Sequence, residues 1–174
     1  CATLVNKAFE VIEAKWLYKT RFDKIDVIIH RESIIHSMVE FSDGAVMAQL
    51  GAPDMWLPIQ LAMTYPERLP CPVEPLDLVS CGELSFCHPD TENFPCLALA
   101  RKCAALGGTA CAAMNGANEV AVAAFLAGKC RYTDIVGTIE HALAKAQFIA
   151  TPSLSDYAEI DAESRRLAHE YRKL

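Results

Sequence analysis

Three polar residues near the start of the chain, Asn6, Lys7 and Glu10, have the types and spacing for phosphate and metal chemistry. Asn6 and Glu10 stand one helical turn apart with Lys7 beside them. Val5, Phe9, Ile12 and Trp16 recur at helical spacing as an apolar stripe on another face. Thr3 is placed to cap a helix over about 4–18. The first turn of such a helix offers free backbone N–H groups and the positive end of the dipole. An amide and an ammonium placed there form a phosphate receptor. A carboxylate one turn deeper can hold a divalent metal next to a phosphorylated ligand. The same residues, with Glu13, also describe a solvated helix face.

Other polar residues point less sharply to chemistry. His30 and His36 bracket a bend between strands, where histidines serve as acid–base groups or ligands, or as ordinary hydrogen-bonded residues. Asn115, Asn118 and Glu119 lie in a strongly apolar helical stretch, which suits structural or interface roles. Gly107-Gly108 has no strand before it and no lysine after it, so it reads as a helix stop. No GxGxxG, GxSxG or HExxH motif occurs.

The elements that must position these residues follow from pattern. A strand is expected over 26–30, then a bend over 31–34. Strands at 37–41 and 45–50 flank Ser42-Asp43-Gly44 as a hairpin, and a short helix covers 57–64. Six prolines between Pro66 and Pro95 mark an irregular connector with one short strand at 83–86. Helices are then expected over 96–106, 111–127, 133–146 and 161–174, the last capped by Asp161.

Composition narrows the function classes. The 174 residues are 52% hydrophobic and 22% charged, enough for one or two small domains. Net charge is −6 without a basic block, which argues against a nucleic-acid surface. The longest apolar run, Val120–Ala127, is far short of the roughly 20 residues that span a bilayer, and no signal-peptide pattern opens the chain. Eight cysteines without CxxC spacing read as reduced, mostly buried thiols.

Four segments carry a resemblance. Residues 6–14, NKAFEVIEA, resemble the NKGLE-V-IEA segment of the 1-deoxy-D-xylulose 5-phosphate reductoisomerase family. HRESIIHSMV at 30–39 is similar to its HPQSxIHSMV stretch. Asp43-Gly44 and AQLGAPDM at 48–55 match its DG…AQLGxPDM continuation. MNGANEVAVAAFL at 114–126 resembles its LNAANEVAVAAFL helix. Arg31-Glu32 stand for the usual Pro-Gln, and Ala8 for Gly.

The resemblance implies an NADPH-dependent enzyme of non-mevalonate isoprenoid synthesis that uses Mn²⁺, Mg²⁺ or Co²⁺. It is expected to act on a phosphosugar as a homodimer, without nucleic acid or membrane partners, in a bacterial cytoplasm or a plastid-type organelle. Glu10 corresponds to a metal ligand and catalytic residue, and Asn6 and Lys7 to substrate contacts. Cys1 stands where the family has a phosphate-binding serine, and His36, Pro53 and Met55 lie near the site. The implied fold is α+β: an α/β catalytic-domain portion with a small, mostly antiparallel sheet, then a C-terminal α-helical bundle. By role, residues 1–65 would belong to the catalytic, metal-binding and dimerisation domain, 66–94 to the connector and 95–174 to the helical domain.

The family's Rossmann domain and its other acidic ligands would precede Cys1, so these residues alone are expected to be inactive. The competing readings are a non-catalytic dimerisation or scaffolding module of the same descent, and an unrelated phosphosugar-binding protein.

Overall fold

The computed structural model describes residues 3–171, and they are mostly helical with one small antiparallel sheet. Contacts divide the chain into two compact units, Cys1–Val27 with Asp90–Leu174, and Ile28–Pro89. This division by packing cuts differently from the division by role.

The first unit contains α1 (Val5–Tyr18), a 3₁₀ turn at Phe22–Lys24, α4 (Cys96–Leu106), α5 (Ala110–Leu126), α6 (Asp134–Lys145) and α7 (Leu154–Glu170). Helix α1 packs on α4, α4 on α5, and α5 on both α6 and α7. Leu97, Met114, Ile135 and Ile139 are its large fully buried side chains, with Ala117, Ala121, Ala142 and Ala168 between them. Among the described residues, no helix is long and apolar enough to cross a membrane.

In two places this unit departs from the sequence pattern. The buried stripe of α1 is Val5, Ala8 and Val11, while Phe9 and Ile12 are half-buried and Trp16 is 71% exposed. The small Ala8 side chain can face a neighbouring helix closely, and that rotates the larger residues outward. Helix α7 starts at Leu154, well before Asp161. Its cap is Ser153, whose hydroxyl accepts from Asp156 N while Asp156 Oδ2 accepts from Ser153 N at 2.7 Å. This reciprocal capping box satisfies two otherwise orphaned donors, so the helix begins there. Asp161 instead lies inside α7 and accepts from Arg165 Nε at 2.7 Å. The expected helix end at 172–174 lies outside the described residues.

The α5 residues flagged for polarity are tied to α7. Asn115 Nδ2 donates to Glu119 Oε1 at 3.1 Å, and Arg165 donates to Glu119 Oε2 at 2.7 Å. Of the seven described cysteines only Cys96 and Cys103 are buried, and burial pushes both thiols up to about 11. The expectation of mostly buried thiols is therefore too broad.

The second unit holds β1 (Ile35–Glu40), β2 (Val46–Leu50), α2 (Trp56–Thr64) and α3 (Leu78–Cys81). Gly44 N donates to Phe41 O at 3.0 Å, and Phe41 N donates to Ala45 O at 2.8 Å. With Gly44 at φ 86°, this is a three-residue hairpin loop whose last position favours glycine. The strand expected over 26–30 reduces to a single bridge, Ile29 to Cys87, and 83–86 forms no strand. A lone pair of backbone bonds does not extend without neighbours on either side.

Helix α5 meets α7 at Gly116, where an added Cβ would stand 2.4 Å from Ser164 Oγ and 3.1 Å from Asp161 O. Alanine normally favours a helix over glycine by about 1 kcal/mol. Here Gly116→Ala is expected to destabilise the chain by about 1–3 kcal/mol, because buried Ser164 has nowhere to move. Urea unfolding monitored by circular dichroism measures this. An unchanged midpoint would mean that α5 and α7 can separate without cost.

Candidate functional site

Helix α1 opens on Leu4 in the left-handed region, and Thr3 Oγ1 accepts from Val5 N at 3.4 Å. Burying Val5, Ala8 and Val11 turns Asn6, Lys7 and Glu10 to a common outward face. Asn6 Nδ2 donates to Glu10 Oε1 at 2.8 Å, and Lys7 Nζ pairs with Glu10 Oε2. The three residues thus form one cluster in which both carboxylate oxygens are engaged. The Lys7 and Glu10 side chains are 40% and 44% exposed, so their ion pair is weak and readily exchanged for other partners. Cys1 lies outside the described residues.

Glu10 supplies one hard oxygen ligand of the kind that Mg²⁺ or Mn²⁺ takes. Among the described residues, no three His, Cys, Asp or Glu side chains cluster as a metal site. Glu10 therefore fits as one ligand of a set that needs further donors.

His36, Pro53 and Met55 belong to the second unit. Pairing skips from Ile35↔Leu50 to Ser37↔Gln49, which leaves His36 as the extra residue of a β-bulge. Bulges re-aim a side chain and recur beside binding sites. A Cβ on Gly51 would lie 4.0 Å from His36 Nε2, so the end of β2 passes close to the ring. Pro53 lies in the turn after β2, and Met55 is the N-cap residue of α2, 68% exposed. The structure thus brings Asn6, Lys7 and Glu10 together in one unit. In the other it sets His36, Pro53 and Met55 at the hairpin's open end and the start of α2.

A second polar constellation in this unit was not foreseen. The His30 side chain is 6% exposed, and its Nδ1 lies 2.9 Å from both Ser85 O and Glu32 Oε2. Both neighbours are acceptors, so Nδ1 carries the proton. Glu32 also accepts from Ser85 Oγ at 2.6 Å and Ser85 N at 3.1 Å, and the His30 ring stacks on Phe86 at 4.9 Å. His30 was visible as a candidate by residue type. Glu32 and Ser85 lie 53 positions apart, and no local pattern links them.

Comparison with known proteins gives a consistent result. Residues 50–167 match the family model described as DXP reductoisomerase C-terminal domain. The 1-deoxy-D-xylulose 5-phosphate reductoisomerase of Ruminiclostridium cellulolyticum is 50% identical over 169 residues, covering 97% of this chain and 44% of that protein. The Bacillus subtilis enzyme is 52% identical over 165 residues, covering 94% and 43%. The Zymomonas mobilis reductoisomerase, solved in complex with NADPH, superposes with a TM-score of 0.92 at 40% identity over 99% of this chain and 46% of that one. A DOX-P reductoisomerase in complex with NADPH, fosmidomycin and magnesium gives 0.92 at 43% identity, covering 99% and 45%. The chain spans less than half the length of these relatives.

The hydrogen bonds from Ser85, its hydroxyl first, hold the Glu32 carboxyl down at about 2, against an ordinary 4.5. A depressed folded-state value means stabilisation that is present above 4.5 and lost as pH falls from 4.5 towards 2. The melting-temperature gap between the wild-type chain and Glu32→Gln is therefore expected to be constant near neutrality and to shrink across that window. A gap that stays constant down to pH 2 would show that this carboxylate is not held by Ser85.

Proposed function

This chain belongs to the 1-deoxy-D-xylulose 5-phosphate reductoisomerase family, and from that premise we propose that it supplies the C-terminal part of an NADPH-dependent enzyme. The reaction is conversion of 1-deoxy-D-xylulose 5-phosphate to 2-C-methyl-D-erythritol 4-phosphate with Mg²⁺, Mn²⁺ or Co²⁺. The observation that carries this reading is the cluster of Asn6, Lys7 and Glu10 at the mouth of α1. A relative 43% identical to this chain has been solved with NADPH, fosmidomycin and magnesium, which supports it.

In this reading Asn6 and Lys7 bind the substrate, Lys7 towards its phosphate, and Glu10 is one metal ligand. The bound metal would act as a Lewis acid for charge that develops on the substrate's oxygens. Lys7 and Glu10 hold each other in the meantime. Glu10 released from Lys7 is free for a cation, and Lys7 released from Glu10 is free for a phosphate. Each event removes the other's competitor, so the two bindings favour one another. His36, Pro53 and Met55 line the approach of the ligand, and Cys1 takes the place of a phosphate-binding serine. NADPH is bound mainly by other parts of the enzyme. Residues 1–65 serve catalysis and dimerisation, 66–94 connect, and 95–174 form the helical domain.

Residues 1–174 alone are expected to show no NADPH oxidation with the substrate. In an enzyme of the relatives' full length that carries them, Glu10→Gln should lower kcat on the order of 100-fold, since even outer-shell partners of metal ligands are worth 10–100-fold. NADPH affinity should hardly change, and Lys7→Ala should act mainly on KM. Near-normal turnover of Glu10→Gln under limiting metal would remove Glu10 from the site.

Assembly as a homodimer is part of the same proposal. Val39 and Met47 are direct cross-strand partners, 58% and 66% exposed, and both strands of the hairpin are almost wholly exposed. A two-stranded sheet with apolar side chains in water is marginal, and pairing about a two-fold axis would cover it. Val39→Lys should weaken the dimer by about tenfold or more, read by analytical ultracentrifugation. Unchanged dimer affinity would place the interface elsewhere.

A further inference from the structure

The unit Ile28–Pro89 has almost no core of its own: as whole residues only Ile34 and Gly51 are buried, and beside them the His30 side chain. Its two ends are nevertheless joined. Ile29 N donates to Cys87 O at 2.8 Å and Cys87 N donates to Ile29 O at 3.0 Å. Beside this bridge, Glu32 accepts from Ser85 N and Ser85 Oγ, His30 Nδ1 donates to Ser85 O with Glu32 Oε2 also 2.9 Å away, and His30 stacks on Phe86. The hairpin and α2 all lie between the two halves of this junction.

We propose that the His30–Glu32–Ser85 clasp is a latch for the whole segment 33–84, which stays folded while the clasp is closed and opens as one cooperative unit when it is broken. Three considerations lead there. With so little apolar burial inside a single copy of the chain, the segment's order within that copy leans on a few polar bonds, and the clasp contributes three of them at one point. Its partners are 53 and 55 positions apart, so breaking it releases a long closed loop whose ordering has little else to offset its entropy.

The third consideration is the chemistry of Glu32. A carboxylate is acceptor-only and takes one Ser85 donor on each oxygen, which the single oxygen of an amide cannot do in the same way. His30 Nε2 is buried without a hydrogen-bond partner, so the ring is held by its Nδ1 bond and its stacking on Phe86. The inference does not depend on the enzymatic reading.

Hydrogen exchange with mass spectrometry on the 174-residue chain tests it. Glu32→Ala is expected to speed exchange roughly tenfold or more across β1, β2 and α2 together, with less than a twofold change in α4–α7. Ser85→Ala, which removes one bond, should act in the same place to a smaller degree and covers the case in which Glu32→Ala fails to fold. His30→Asn keeps a donor near the Nδ1 position and should retain most of the protection. The proposal is overturned if the change stays confined to residues 30–32 and 85–87, or spreads equally through α4–α7. It is also overturned if residues 33–84 are already unprotected in the wild type. Complete loss of protection in His30→Asn would overturn it too, by moving the role to ring stacking on Phe86.

Discussion

Helix α5 can lie against α7 as closely as it does because position 116 has no side chain, and much of the helical unit follows from that contact. The crossing buries Ser164 completely, and Ser164 answers by donating its hydroxyl to Asp161 O at 2.9 Å. Helix α6 packs on both α5 and α7 and buries Ile135, Ile139 and Ala142, as well as Thr138, whose hydroxyl donates to Asp134 O at 2.8 Å. Small residues at one contact and branched residues at the other let a single apolar helix serve two neighbours. At the rim, Arg165 bridges Asp161 and Glu119 and adds a charge-assisted tie between the same two helices.

The packed helices also explain the character of the candidate site. Helix α1 joins this unit through α4, and its buried side is short and made of small residues. The opposite face is left free to carry Asn6, Lys7 and Glu10. Held in one cluster, Lys7 and Glu10 offset each other's charge while Asn6 donates to the other carboxylate oxygen. Their exposure keeps the cost of exchanging partners low. Such a cluster suits a site that must accept both a cation and an anion.

The second unit is built on the opposite principle. Its apolar side chains, among them Val39, Met47, Trp56 and Met63, are mostly exposed, and its order rests on backbone pairing and side-chain pins. Gln60 Nε2, for example, donates to Leu69 O and Pro70 O at 2.9 and 3.0 Å. His36, Pro53 and Met55 stand at the bulge, after β2 and at the start of α2, where the chain changes direction. A unit of this kind has surface to offer a partner and little stability of its own.

The sequence alone determined most of what is local. Helical period located α1, α4, α5 and α6, because each has a continuous apolar face, and Ser42-Asp43-Gly44 located the hairpin because its last position requires positive φ. The motif residues Asn6, Lys7 and Glu10 were likewise legible from a spacing of one turn. Tertiary structure decided the rest. Which side of α1 is buried depended on α4, so Ala8 displaced the larger Ile12 and Trp16. The strand expected over 26–30 shrank to one bridge because it found a single partner residue, Cys87. Glu32 and Ser85 are unremarkable separately and form a clasp only when the chain ends of their unit meet. Contacts between residues far apart in the chain leave no periodic trace in either segment, and for that physical reason the fold had to supply them.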